Sequence, residues 1–301
     1  MDKLLPKDIE LIGCLGDSLF TGLGVTAFPS KWKNKIYQWL FKYNKLIPWI
    51  LSGEHRQNTC ILGGGKGVIS VGRLLKRYNP ALQGLNTRKT RMFSRGSDYN
   101  FATTGAKSQN LRMQTIRMVR RFKRDRTTHS VKILFLWIGV NDAFSKSHKS
   151  LEKTFVGDIV TALALIKTHL PNTFVCILPL PNLGQVLKDV GSEKRTKIIS
   201  KIKLINQLLW DVTNDWDFNG DYYFRVTFQP IPFDDLDNPE FLNMYPLIST
   251  LDDQHPSFIA QQLFAKCIWN NLFLKPEHKV TSIQQVIDSA WYEPTEDDYC
   301  Q

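Results

Sequence analysis

Residues 131–142 read Val-Lys-Ile-Leu-Phe-Leu-Trp-Ile-Gly-Val-Asn-Asp, and the change of character at Gly139 decides the fold class. A run from Val131 to Ile138 with one charge is too apolar for a sheet with a wet face, so it predicts a strand buried on both sides, as in a parallel sheet. Asn141 and Asp142 then stand just past the strand's carboxyl end, where open α/β sheets bind ligands. Working outward, residues 9–15, a short piece at 99–102, 174–180 and 222–228 read as further strands. Amphipathic patterns at 107–123, 151–169, 193–213 and 256–272 lie between or after them, each long enough to cross a sheet. Pro256 sits near the first turn of the last pattern, a favoured place for proline. The alternation predicts an α/β fold, a single domain of three layers, α/β/α, around a mostly parallel five-stranded sheet.

With 301 residues, 43% of them apolar and 22% charged, the chain can bury a sizeable core, which excludes disordered, collagen-like, coiled-coil and disulfide-stapled classes. No linker or repeat divides it, so one domain is expected over residues 1–275, followed by a polar and then acidic tail over 276–301 that should be loosely held. The net charge of +11 is unevenly placed: 25 basic and 7 acidic residues up to Lys132, 14 basic and 21 acidic after it. Such a basic half points to an anionic partner, a lipid surface or nucleic acid. Within an insertion at 26–58, Trp32, Ile36, Trp39, Leu40, Tyr43 and Ile47 fall at helical spacing, with Lys31, Lys35, Lys42 and Lys45 between them. A surface helix packed on the core is the simpler reading; a lid or membrane-contact segment is the functional one.

Five cysteines, Cys14, Cys60, Cys176, Cys267 and Cys300, are odd in number and lack a C-x-x-C pair, so they read as small core residues rather than zinc or redox groups. Neither a leader pattern nor a membrane-spanning apolar run of roughly 18–20 residues is visible. A cytosolic or peripherally membrane-bound protein is expected, and a secreted protein whose leader lies outside the sequence would read the same.

Four short motifs carry chemistry. Gly16-Asp17-Ser18-Leu19 follows the first strand, and small residues there let the chain turn sharply and present a hydroxyl at the sheet edge. Asp252-Asp253-Gln254-His255-Pro256 precedes the last helix; an aspartate three residues before a histidine can accept one ring N–H and leave the other nitrogen as a base. The bare backbone of Gly105, in Thr103-Thr104-Gly105-Ala106, and the amide of Asn141 lie between these ends. With the N–H of Ser18, they supply donors of the kind acyl transfer needs for a developing oxyanion. Each motif alone is an ordinary turn; their order along an α/β chain is the informative observation.

That order resembles the SGNH or GDSL family of serine esterases and lipases, whose naming serine, glycine, asparagine and histidine match Ser18, Gly105, Asn141 and His255. The run Leu62-Gly63-Gly64-Gly65, the stretch Leu74-Leu75-Lys76-Arg77-Tyr78-Asn79-Pro80 and Trp269-Asn270-Asn271 look like the phospholipase B-like branch. The likeness covers roughly residues 8–274. It implies a flavodoxin-like SGNH fold and a serine ester hydrolase without metal or organic cofactor. Ser18 would be the nucleophile, His255 the base, and Asp252, with Asp253 as rival, the acid of the triad. Ser18, Gly105 and Asn141 would form the oxyanion hole. The implied substrate is an acyl ester, foremost a phospholipid or lysophospholipid; a carbohydrate or small-molecule O-acyl ester is the alternative. Two departures stand out: Asn58-Thr59-Cys60-Ile61 replaces the branch's tryptophan-containing approach to its glycines, and residues 112–126 are unusually rich in arginine. A P-loop reading of residues 63–67 fails, because Gly67 stands where a hydroxyl is required. Contact with an anionic membrane surface is the partner the basic half suggests. Against a nucleic-acid patch, the arginine run is more simply a solvated helix face.

Overall fold

The computed structural model describes residues 3–26, 50, 52–183, 187, 190–219, 221–231, 246–249, 251–252 and 254–301. Its centre is a four-stranded sheet of β1 (Leu11–Gly16), β2 (Lys132–Trp137), β3 (Thr173–Ile177) and β4 (Phe224–Phe228), ordered β1-β2-β3-β4 and parallel throughout. All six residues of β2 are buried, as the apolar run required. Lys132 is tolerated because its Nζ donates to the carbonyls of Thr128 and Pro171, at 3.0 and 2.6 Å.

Short α1 (Ser18–Thr21) follows β1, and α2 (Val71–Tyr78) precedes the β1–β2 crossover helix α3 (Leu111–Arg124). After β2 come α4 (Val140–Ser145) and α5 (His148–His169), and after β3 comes α6 (Ser192–Thr213). The short α7 (Trp216–Asn219) leads to β4, and α8 (Phe258–Asn271) and α9 (Ile283–Asp288) complete the helices described. In this strand order, right-handed crossovers place α3, α5 and α6 on one face, and α3 packs on α5 and α5 on α6. On the other face α8 packs on α2, with the α8 ring of Phe264 5.9 Å from that of Trp137 on β2. The three layers are those the sequence implied.

Two expectations are corrected. The fifth strand is not formed as a regular strand among the described residues. The segment around Asn100 meets β1 through one parallel bridge, Cys14 to Asn100, with Cys14 N–H donating to Tyr99 O and Phe101 N–H to Cys14 O. No regular ladder extends beyond it, because the next β1 donor, the Gly16 N–H, is taken by Gln114 Oε1 at 2.9 Å, which leaves only the Thr103 N–H donating to Gly16 O at 3.0 Å. The Asn100 side chain meanwhile donates to Phe20 O and accepts from Arg56, at 2.8 Å each. The tail is not loose. Cys300 is buried, its N–H donates to Leu4 O, and Gln301 N–H donates to Leu272 O. Tyr292 stacks on Phe273 and accepts the Trp269 indole N–H through its carbonyl. Counting acidic residues missed Ile283, Val286 and Cys300, which are buried and hold the segment to the domain. Of the 26–58 insertion, residues 27–49 and 51, with its Trp/Lys pattern, lie outside the described residues.

Candidate active site

The carboxyl edge of the sheet gathers all four motifs. Gly16, the last residue of β1, runs so close to β2 that an added Cβ would stand 2.2 Å from Trp137 O, so only glycine fits. Its backbone is gripped from the other side by Gln114 of α3, whose Oε1 accepts the Gly16 N–H at 2.9 Å and whose Nε2 donates to Gly16 O at 2.8 Å. Asp17 then caps α1 by accepting the Leu19 N–H at 3.0 Å. Ser18, first in that short helix, has a backbone N–H with no intrahelical acceptor, and its hydroxyl points into the crevice.

His255 Nε2 lies 2.8 Å from Ser18 Oγ, and His255 Nδ1 lies 2.6 Å from Asp252 Oδ2. Because a carboxylate only accepts, the proton belongs on Nδ1, leaving Nε2 to accept the Ser18 hydroxyl proton. The other Asp252 oxygen accepts the backbone N–H groups of Gln254 and His255, at 3.0 Å each, so a local turn fixes the carboxylate. Burial raises the cost of its charge, yet the His255 ring and these backbone donors more than offset that and hold the Asp252 carboxyl below its ordinary range. Asp253, the rival acid, lies outside the described residues.

Gly105 takes φ +78°, with nothing within 4 Å of the place a Cβ would occupy; glycine there is a requirement of backbone conformation. Asn141, in the first turn of α4, gives one amide N–H to Ala106 O at 2.9 Å. That bond ties the asparagine block to the glycine block and fixes the plane of the amide. Asp142 adds a second tie, accepting the N–H and the hydroxyl of Ser108 at 2.9 Å each. Ser18, Gly105, Asn141 and His255 all line one cavity of about 360 Å³, whose remaining wall is mainly apolar, including Leu23, Leu183, Leu247, Leu263 and Phe264. Ile283, from the segment expected to be a tail, is part of that wall.

Sequence reasoning missed what holds the blocks from beneath. Glu54 and Arg56 form a fully buried ion pair at 2.7 Å. Arg56 donates to Asn100 Oδ1 and Ala102 O, at 2.8 and 2.9 Å, while Glu54 accepts the Thr104 hydroxyl at 2.8 Å. Thr104 Oγ1 also lies 2.9 Å from Thr21 Oγ1, so one network joins the Gly105 loop to α1. Neither charge sits in a motif; the only visible signal was a Glu-His-Arg triplet just ahead of the glycines. Those glycines serve packing: the Gly64 and Gly65 N–H groups donate to Asn86 O and Gln57 O, which leaves them unavailable as a phosphate cradle.

Fold and site together define a class: a three-layer α/β/α protein with a serine, histidine and aspartate linked by hydrogen bonds above an apolar cavity. The family model described as GDSL-like Lipase/Acylhydrolase matches residues 12–268, and the chain belongs to that family of carboxylic ester hydrolases. It is 32% identical over 179 residues to "Phospholipase B1, membrane-associated" of Mus musculus, a match covering 58% of this chain and 11% of that protein. The Homo sapiens protein of the same name is 24% identical over 312 residues, covering 93% of this chain and 20% of that one. The chain thus corresponds to a small part of these relatives. Among solved structures it is similar to an extracellular lipase of Streptomyces rimosus, at 13% identity and TM-score 0.48, covering 86% of this chain and 98% of that one. Phospholipase A1 of Streptomyces albidoflavus NA297 is similar at 14% identity and TM-score 0.47, covering 85% and 96%.

Proposed function

We propose that the chain hydrolyses acyl-ester lipids, phospholipid or lysophospholipid foremost, through an acyl-enzyme on Ser18. The observation that carries this reading is the continuous chain Asp252–His255–Ser18, at 2.6 and 2.8 Å, opening on an apolar cavity. His255 Nε2 takes the hydroxyl proton as Ser18 Oγ attacks the ester carbonyl, and Asp252 stabilises the imidazolium that forms. The Ser18 and Gly105 N–H groups and the free amide N–H of Asn141 hold the oxyanion. His255 then returns the proton to the leaving alcohol, and water, activated by the same nitrogen, releases the fatty acid.

Leucine, isoleucine and phenylalanine walls favour an acyl chain over an acetylated sugar, which would need polar partners for its hydroxyls. The relatives named phospholipase B1 support the same substrate class. The test is product analysis on defined diacyl phospholipid, lysophospholipid and acetylated sugar, with Ser18→Ala alongside. Fatty acid released from the lipids by the wild type and not by the variant is the expected result; release that survives Ser18→Ala, or acetate from the sugar alone, overturns the reading.

A further inference from the structure

Beyond β1, on the flank of the sheet, the described residues form a second concavity of about 340 Å³, more open to solvent than the Ser18 cavity and lined by Arg95, Arg117, Arg120, Arg121 and Arg124 among others. None of its lining residues lines the Ser18 cavity. Four of the arginines follow one another on α3 at intervals of three, one and three residues, which places them on one helix face. The opposite face, Leu111, Gln114, Met118 and Phe122, is buried, so core packing alone turns the arginines outward. Arg95 comes from the neighbouring loop, and Gly96 beside it brings bare backbone to the rim.

Part of this set is held in place before any ligand arrives. One carboxylate, Asp125, accepts from Nε of both Arg121 and Arg124, and from the Tyr99 hydroxyl at 2.8 Å. The Arg121 guanidinium also lies 5.3 Å from the centre of the Tyr99 ring. The contacts to Asp125 use the Nε of each guanidinium. Arg95, Arg117 and Arg120 have no carboxylate partner among the described residues. The one acid in the lining, Asp98, accepts from Asn86 and Ser97, at 3.1 and 3.3 Å. Asp98 and Asp125 offset only part of the five positive charges around this hollow, and an entering anion would relieve the repulsion among the rest. The anion that matches planar two-pronged donors carrying several charges is phosphate.

We propose that this concavity binds a phosphomonoester or pyrophosphate group, borne by a small ligand or by a lipid headgroup. Titration of the purified chain with inorganic pyrophosphate, at an ionic strength of about 0.15 M where loose surface attraction is screened, should give saturable binding of one equivalent. Arg117→Ala with Arg120→Ala should weaken it roughly 100-fold, about tenfold per guanidinium. Neither arginine makes an ion pair among the described residues, so the double variant should keep its melting temperature and its hydrolysis of a soluble ester; this separates the proposal from the esterase reading. Vesicles containing a phosphomonoester lipid, compared with phosphatidylserine vesicles of equal charge, identify the source. Preferential retention by the former, competed by pyrophosphate, assigns a headgroup, whereas pyrophosphate binding without retention assigns a free ligand. The proposal is overturned by the absence of saturable binding, by binding indifferent to the double substitution, or by retention that follows vesicle charge alone. Tight binding of a single-stranded oligonucleotide that pyrophosphate does not displace overturns it too.

Discussion

At the scale of single residues, Asp17 is the least expected group near Ser18. It is fully buried, one oxygen caps α1, and the other, Oδ2, has no partner among the described residues. Burial, opposed by the Leu19 N–H and the nearby His255, pushes its carboxyl up to about 7. The folded state therefore holds this proton across a range where the unfolded chain, titrating near 4, has lost it. Folded stability from this group is complete below about 4 and is lost as pH rises to about 7. Asp17→Asn keeps the cap and removes the titration, so its melting temperature relative to wild type should climb between pH 4 and 7. The corresponding free-energy change is at most roughly 4 kcal/mol; a difference flat across that range refutes the account. For the chemistry, Asn141→Ala should lower kcat by about 100- to 1000-fold, and less than tenfold would remove Asn141 from the oxyanion hole. The Ser18, Gly105, Asn141 and His255 blocks were legible because each chemistry-bearing residue sits in a short, local turn motif. The choice of Asp252 was legible only as a pair with Asp253, since which carboxylate reaches the ring depends on the fold of the loop.

Among elements, the Gly105 loop and α1 are coupled through a charge pair that no periodicity reveals. Removing one partner of a buried ion pair leaves the other uncompensated, at a cost of about 3–5 kcal/mol. Arg56→Met should therefore destabilise strongly in denaturant unfolding, and Glu54→Gln with Arg56→Met should cost less than the two single changes added. Additive costs would mean that the two charges are not coupled. The strands and long helices were read closely from apolar runs and helical spacing, because burial on both sides or on one stripe leaves a local mark. Residues 99–102 read as a strand on the same grounds and are not a regular one, since Gln114 of α3 takes the Gly16 N–H that the next rung of the ladder would need.

For the whole molecule, residues 276–301 complete both the core and the cavity wall. Truncation after Lys275 would uncover Trp269, Phe273 and Leu272 and remove Ile283 from the wall. It should lower the melting temperature by well over 5 °C, given that roughly 1 kcal/mol moves a domain of this size by about 2–4 °C, and it should depress hydrolysis of long acyl esters more than short ones. Equal melting of the truncated and full chains would return the segment to the role of a loose tail. The basic first half also resolves in space. Its arginines on α3 lie on the flank beyond β1 and line none of the Ser18 cavity, so charge counted along the sequence did not indicate which surface would carry it.

By itself the sequence determined the layer order, the parallel sheet, the family and the four motif residues, because those depend on apolar periodicity and on turns a few residues long. Only the tertiary structure decided that Asp252 reaches His255, that Glu54 and Arg56 brace the site, that the acidic end is packed, and that five arginines share one hollow. Each of these is a contact between segments distant in sequence or a choice between adjacent residues, set by how the helices pack on the sheet and invisible to any local pattern.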